Sequence, residues 1–443
     1  MADGVATKFP GYSRERIDDA IVNPELFVDE DEIHALYTIL RRDDPVRRME
    51  PRGFRPFWSI VKHADILEIE KRSDIFVNRL RTYLSPIEGE EWVKSVTGDT
   101  HLFRTLVDLD DPQHMKLRQL TQAWFMPPNL RKLEARIAEI AKTHVDRMAE
   151  LGPECDFVKE VAVWYPLRVI MEILGVPESD EPFMLKLTQE IFGPGDSDVV
   201  ATSERATEDG RNFASSGGDE GRQSVDLFQT AQVLFQYFGA LTADRRANPR
   251  DDVASIIANG TIDGEPIGER EAMSYYVIIA TAGHDTTSST ASAGLLQLIE
   301  NPDEMAKLKG DLSLLPNAVE EMIRWSTPVK HFMRTAMEDY SLRGKTIRAG
   351  DGVCMHYPSG NRDEEVFDDP FAFRVDRDVK RQVAFGYGAH VCLGMHLARM
   401  EIRALFAELL PRLHEIELAG APRNTRSNFV SGLKSLPVRY RMA

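Results

Sequence analysis

Apolar residues recur at helical spacing over much of the chain. In 130–150 (LRKLEARIAEIAKTHVDRMAE) they fall three and four apart with charges between them, the signature of a helix with one buried face. Residues 269–300 read as one long helix that begins after Gly268 and stops at Asn301-Pro302. At 1.5 Å per residue it spans roughly 48 Å, enough to cross the molecule. A further helix runs from about Leu393 to Leu410, where Pro411 ends it. Strand signals are short: 56–62 (PFWSIVK), 339–355 and 428–440, with Arg343-Gly344 and Ala349-Gly350 dividing the middle one. The pattern predicts a mainly α fold with small β-sheets. No internal repeat or linker divides the chain, so a single domain over 1–443 is expected. The Gly-, Ser- and Asp-rich segment 193–222 reads as a long loop, either a lid or an inert insertion.

Composition narrows the function classes. Hydrophobic residues make up 42% and charged residues 28%, which supports a well-cored protein. The 54 Lys and Arg against 71 Asp and Glu leave a net charge of −17, the wrong sign for nucleic acid or an anionic membrane surface. No apolar run is long enough for a membrane span, and the first residues lack the apolar core of a signal peptide. Three cysteines, Cys155, Cys354 and Cys392, are not a disulfide framework, so a reducing, cytoplasmic location is expected.

The richest chemistry lies in Phe385–Arg399, FGYGAHVCLGMHLAR. Gly386, Gly388 and Gly394 surround Cys392 just before a helix begins, and glycines let the backbone turn sharply. A thiolate at a helix N-terminus is favoured by the dipole and by free N–H donors, and Phe385 could cover the sulfur. A thiolate held in this way can ligate haem iron. Other readings stay open here. His390, Cys392 and His396 with Cys354 and His356 could form a zinc site, although no C-x-x-C pair exists. Cys392 beside His390 could be a nucleophile, or the thiol could simply be buried in a Gly-rich turn.

The long helix carries a polar interruption, Ala282-Gly283-His284-Asp285-Thr286-Thr287. Gly283 costs helix stability and leaves space for a ligand such as dioxygen. A Thr hydroxyl bonding back to a carbonyl can open the helix, and an acid beside a hydroxyl can relay protons. An inert kinked core helix is the competing reading. Glu321 and Arg324, three apart in NAVEEMIRW, share a helix face and in isolation read as a surface pair. His114 and Arg118 lie four apart after Asp110-Asp111-Pro112 and could together hold a carboxylate or propionate. Arg334 closes PVKHFMR, and the loop-like FDDPFAFRVDR at 367–377 precedes the cysteine loop.

This order of motifs resembles the cytochrome P450 family along essentially the whole chain: AGHDTT, then Glu-x-x-Arg, then F-x-x-P-x-x-F, then F-G-x-G-x-H-x-C-x-G. The resemblance implies the cytochrome P450 fold, with haem b between the long central helix and the cysteine-loop helix. It implies that Cys392 is the axial thiolate on the metal, within a loop in which Phe385, Gly386 and Gly394 also contact the cofactor. It makes Asp285 and Thr286 the acid–alcohol pair that delivers protons for dioxygen activation, and Glu321 and Arg324 a structural pair. His114, Arg118, Arg334 and His390 match propionate-binding positions. One departure stands out: the meander Arg that often joins the Glu–Arg pair falls on Ala372, so Arg374 or Arg377 substitutes or the pair stands alone.

A closer resemblance is to the branch of bacterial α-terpineol hydroxylases, carried by ECDF at 154–157, DEPFMLKLTQEIFG at 180–193, ATAGHDTTSS at 280–289 and NRDEEVF at 361–367. It implies a monooxygenase acting on a monoterpene or alkyl-aromatic such as terpineol or cymene. Pocket positions would be the 77–107 loop, Ala282, Gly283, Val329, Phe332 and Phe429, mostly apolar as a hydrocarbon requires. Electrons would come from a separate [2Fe-2S] ferredoxin with its NAD(P)H-dependent reductase, since the motifs leave no room for a fused donor. His396, Arg399 and Arg403, at i, i+3 and i+7, form either a basic docking stripe or a solvated face. A peroxygenase and a non-catalytic haem-thiolate sensor are the alternatives.

Overall fold

The computed structural model describes residues 14–192 and 221–443. The expected lid at 193–222 lies, apart from its last two residues, outside the described residues. The helices that build the interior are α1 (His63–Lys71), α2 (Gln113–Gln122), α3 (Glu134–Glu150), α4 (Trp164–Leu174), α5 (Glu269–Ala282), α6 (Asp285–Glu300), α7 (Leu315–Ser326) and α8 (Met395–Arg412). In α3 the buried positions Ile137, Ile140, Ala141, Val145 and Met148 follow the spacing read from the sequence. That face packs on α8, which also meets α6 and α7.

Two helix readings need correction. Residues 269–300 are not one rod, because Gly283 and His284 interrupt it between α5 and α6. Side chains compete for the backbone there: the Thr286 hydroxyl donates to the Ala282 carbonyl (3.0 Å) and His284 Nδ1 to the Ala280 carbonyl (3.2 Å). Pro411 does not stop the last helix. It sits inside the final turn of α8, where losing one N–H costs least, and Leu413 then starts a strand.

The main sheet contains β1 (Val46–Met49), β2 (Phe57–Ile60), β3 (Phe76–Val77), β4 (His331–Ala336) and β5 (Gly352–His356), in the order β1-β2-β5-β4-β3. Only β2 and β5 run parallel. The expected 339–355 segment resolves into a hairpin, Tyr340–Leu342 with Lys345–Ile347, followed by β5. Arg343 and Gly344 both have positive φ (47° and 74°), as the tight hairpin turn between them requires. The 428–440 segment resolves into Leu433–Ser435 and Pro437–Met442.

The Glu321–Arg324 pair is buried, not on the surface: both side chains are 0% accessible. Arg324 grips the Glu321 carboxylate through Nε and Nη2, each at 2.7 Å, and its Nη1 donates to the carbonyls of Asn361 and Pro370. Arg377 fills the place left by Ala372. Its Nε donates to Glu321 (3.0 Å) and its Nη2 to the Ala372 carbonyl itself (2.7 Å), while Arg374 contributes only its backbone N–H (3.1 Å). Burial opposes the charge on Glu321, but Arg324 and Arg377 outweigh it and hold the carboxyl below the usual range. The cluster ties α7 to the 361–377 segment that leads into the cysteine loop. Replacing Glu321 by Ala strands buried guanidinium charge and should lower the urea-unfolding free energy by about 3–5 kcal/mol. A loss below about 1 kcal/mol would return the pair to an exposed role.

Candidate active site

The cysteine loop is shaped by its approach to α1. Gly386 and Gly388 have φ of +66° and +71°, and a Cβ at Gly388 would collide with the Glu70 carbonyl oxygen. The Cys392 N–H donates to the Phe385 carbonyl (2.9 Å), and the Phe385 ring lies 4.6 Å from the Arg399 guanidinium. Gly394 precedes α8, with open space where a side chain would stand. The Cys392 thiol is not lowered as a helix N-terminus alone would predict. Burial raises it above its ordinary 9.0, against the Gly394 N–H and the charges of Arg118 and Arg399. Yet Cys392 is also accessible. A side chain both desolvated and accessible faces an enclosed space.

The central helix borders the interior in the same way. Ala282 is accessible between the buried Thr281 and His284, and Thr286 is half-buried. Gly283 differs from its expected role. The space a side chain there would need is taken by Ile170 of α4, so its small size serves helix packing. His284, which the motif reading passed over, is buried with Nε2 3.0 Å from Asp285 Oδ1 and 3.4 Å from the Thr188 hydroxyl. With Nδ1 on a carbonyl and Nε2 on a carboxylate, both nitrogens donate. Burial disfavours the imidazolium, but Asp285 and the Ala280 carbonyl outweigh it and raise the pKa.

Four basic side chains converge beside the cysteine loop. The His114 and His390 rings lie 4.1 Å apart, Arg118 Nη2 donates to the Val391 carbonyl (2.8 Å), and buried Arg334 lies 3.6 Å from Glu70. Neither nitrogen of buried His114 makes a well-formed hydrogen bond among the described residues, although Nδ1 lies 3.5 Å from an Asp111 carboxylate oxygen. Burial, and then the charges of Arg334, His114 and Arg118, push His390 down to about 2. Glu70 offsets this poorly, since burial lifts its own carboxyl to about 7 despite Arg334 and the Tyr357 hydroxyl, which donates at 2.7 Å. A buried positive cluster with orphaned donors fits a dianion. A desolvated, accessible thiol beside it fits a soft metal. Together they match the two propionates and the iron of haem.

The zinc and nucleophile readings fail on this geometry. Among the described residues no group of three or more His, Cys, Asp or Glu converges as a metal site. Cys354 and His356 are buried in β5, where His356 meets the Tyr37 hydroxyl (3.3 Å). An imidazole at about 2, as in His390, is too weak a base to activate a thiol at neutral pH.

Three expected pocket residues form one patch. The Phe332 and Phe429 rings lie 5.6 Å apart, and Val329 bridges Val430. The turn carrying Phe429 is seated on α6, where Gly432 leaves room for Ser289. The basic stripe on α8 is largely neutralised: Arg399 pairs with Glu320 and Arg403 with Glu134 (2.9 Å).

His284, Glu70 and Tyr357 are the site residues sequence reasoning missed. Only His284 carried a signal, as a second titratable group beside Asp285. Its raised pKa means the folded state holds that proton more tightly than the unfolded chain. The resulting stability is full below the ordinary 6.5 and fades as pH rises through the folded value. Urea unfolding of His284→Gln should therefore lose part of the decline in stability that the parent shows above pH 6.5. Glu70 and Glu181 also titrate near 7, but they are common to both proteins and cancel in the difference. Identical profiles would mean that His284 is neutral.

Comparison with known proteins places this site. A model of the cytochrome P450 family matches residues 88–440. Cytochrome P450-terp of Pseudomonas sp is 41% identical over 97% of this chain and 98% of its own. Linalool 8-monooxygenase of Pseudomonas putida is 32% identical over 94% of this chain and 97% of its own. Among solved structures, CYP108D1 of Novosphingobium aromaticivorans superposes with a TM-score of 0.88 at 40% identity, covering 97% of this chain and 99% of that one. Mycobacterium marinum CYP268A2 in complex with pseudoionone gives 0.84 at 30% identity, covering 97% and 100%. No helix among the described residues is long and apolar enough to cross a membrane. A thiol facing an enclosed space, a buried cluster suited to two propionates and these matches along nearly the whole length make the conclusion plain: the chain belongs to the cytochrome P450 family of haem b monooxygenases.

Proposed function

We propose that the protein hydroxylates a small apolar substrate, a monoterpene or alkyl-aromatic such as terpineol or cymene, with dioxygen. The observation that carries this reading is the aromatic pair of Phe332 and Phe429, on the strand that also carries Arg334 of the basic cluster beside the cysteine loop. It offers shape and apolar contact, and the nearest guanidinium, Arg334, belongs to the propionate cluster. Relatives named for linalool and solved with pseudoionone, both terpenoids, support it. The electron donor is a separate [2Fe-2S] ferredoxin with its NAD(P)H-dependent reductase, in the cytoplasm. The paired α8 arginines leave little bare positive charge for docking, so partner recognition there rests on hydrogen bonds more than on long-range steering.

When bound, haem b supplies the redox-active iron at which dioxygen is reduced and one oxygen atom passes to the substrate. Cys392 holds that iron through its sulfur, and Phe385, Gly386 and Gly394 shape the loop around it. His114, Arg118, Arg334 and His390 hold the propionates. Bound propionates would offset the charges of Arg334 and Arg118, whereas burial, the larger cause, would still keep His390 unprotonated. The Thr286 hydroxyl donates to the Ala282 carbonyl, which leaves its oxygen free to accept a further hydrogen bond on the side of the accessible Ala282. A proton lost from that hydroxyl is replaced through the neighbouring Asp285 carboxyl, which receives it from His284 Nε2 (3.0 Å).

Replacing Thr286 with Ala should leave NADH consumption running while product per NADH falls at least about tenfold and peroxide accumulates. Unchanged coupling would remove the relay role. Cys392→Ser should lose the long-wavelength Soret band of the reduced carbon-monoxide complex, and an intact band would discard the ligand assignment. A screen of monoterpenes and alkylbenzenes for a low-to-high-spin optical shift tests the substrate class, which fails if none perturbs the spectrum.

A further inference from the structure

A second excess of buried positive charge lies where α7 gives way to β4, and the reaction does not use it. Lys330 is 7% accessible, and its ammonium donates only to the Ser326 carbonyl (3.2 Å). Arg362 is 1% accessible, with its guanidinium 4.2 Å from the Trp325 ring. It donates to the carbonyls of Arg324 (3.1 Å) and Trp325 (3.0 Å), and its Nε is left without a partner. Neither cation has a carboxylate within ion-pair distance among the described residues. Other buried cations do: Arg41 pairs with Glu364 (3.0 Å) and Lys62 with Asp363 (3.1 Å). Glu321, the nearest fully buried acid on α7, is already committed to Arg324 and Arg377.

Lys330 opens onto a cavity of about 10 Å³, which it shares with Glu30, His34, Tyr37, Trp325 and Ser326. That volume holds one water-sized occupant. Glu30 and His34 come from one helix, Glu30–Asp43, and lie one turn apart. His34 Nδ1 has no hydrogen-bond partner. Burial, then the charges of Arg362, Arg41 and Lys330, keep this imidazole neutral, so Nδ1 can carry the single ring proton and donate it. We propose that the cavity binds one small monovalent anion of the halide class, with Lys330 Nζ and His34 Nδ1 as its donors in the field of Arg362. Burial pulls the Lys330 ammonium down to about 8 despite Glu30, so it remains charged at pH 7.

The competing occupant is a water that bridges Lys330 to Glu30. Charge decides against it. Glu30 is only half-buried, so a water would leave two desolvated cations facing one partly wet carboxylate. A bound anion matches them and satisfies donors that are otherwise left over. The site also reaches the fold around the aromatic pair through the main chain. The Lys330 N–H donates to the Phe429 carbonyl (2.8 Å), and the Tyr357 N–H donates to the Lys330 carbonyl (3.2 Å). An anion that fixes Lys330 therefore steadies the Phe429 turn and the segment after β5 without entering the substrate pocket.

Two measurements on the holoenzyme test this. Crystals soaked in bromide should show an anomalous peak within hydrogen-bonding reach of Lys330 Nζ, and crystals of Lys330→Met should not. In solution at pH 7 and fixed ionic strength, chloride is exchanged for gluconate, an anion too large for the cavity. At about a hundredfold excess over its dissociation constant, chloride should raise the parent's unfolding midpoint by about 1–3 °C relative to Lys330→Met. Glu30→Gln removes the opposing carboxylate and should lower the half-effective chloride concentration about threefold or more. The reduced carbon-monoxide spectrum verifies that each variant keeps its haem site. Density in the parent's cavity without anomalous signal means a water and overturns the proposal. A peak or a chloride response that persists in Lys330→Met means an adventitious ion only and overturns it too. Should Lys330→Met fail to fold, the parent's bromide map decides alone. None of these outcomes bears on the substrate reading.

Discussion

Buried charge must be matched, and the interior is organised by where it is and where it is not. Around Glu321 the match is complete: two guanidinium groups and a backbone N–H surround one carboxylate with no accessible surface. Beside the cysteine loop it is incomplete. His114, Arg118, Arg334 and His390 crowd together with two carboxyls, the half-exposed Asp111, 3.5 Å from His114 Nδ1, and Glu70, which burial itself pushes towards neutrality. The first arrangement is self-sufficient and holds the chain together. The second is costly until an anion enters, and this difference separates a structural cluster from a binding site when both are made of the same residue types.

The sulfur obeys the same constraint. A helix N-terminus and two arginines favour a thiolate at Cys392, yet desolvation wins and the thiol stays protonated near neutrality. Only a cation in direct contact tips that balance, so the loop holds a ligand rather than a free nucleophile. At the central helix, Asp285 is matched by His284 instead of facing solvent. The acid that would feed Thr286 is therefore coupled to the imidazole of its neighbour in sequence.

Much of this was legible in the sequence because it depended on local spacing. The apolar period fixed α3, and the Gly-rich run marked the turn before α8. What was not legible depended on burial and on distant partners. Glu321 and Arg324 look identical in sequence whether a helix face is wet or dry, and only the packing of the 361–377 segment decides. Arg377 reaches the Ala372 carbonyl because the loop folds back on itself, which no spacing rule reports. Gly283 read as space for a ligand, but Ile170, more than a hundred positions earlier, occupies that space. Glu70 belongs to no motif at all. It enters the site because glycines at 386 and 388 let the cysteine loop close onto α1.

The strand β4 joins the two halves of the site. Phe332 and Arg334 are two apart and share a face, with the Arg334 guanidinium 6.0 Å from the Phe332 ring. His331 alternates to the other side, where its Nε2 accepts from the Leu84 N–H, and the Met333 backbone N–H donates along the strand edge to the Thr82 carbonyl. The aromatic wall and the basic cluster are thus set in one register, fixed by the pairing of β4 with β5 from Thr335↔Gly352 to His331↔His356. A slip of one residue would exchange the faces, sending Phe332 and Arg334 away from the interior and His331 into it. The buried strand β5 prevents that slip, since Val353, Cys354 and Met355 pack on both of its faces and leave no alternative register without exposing apolar surface. Distance between the basic cluster and the aromatic wall is therefore a property of the sheet core, and substitutions in β5 that never touch a ligand will move both together.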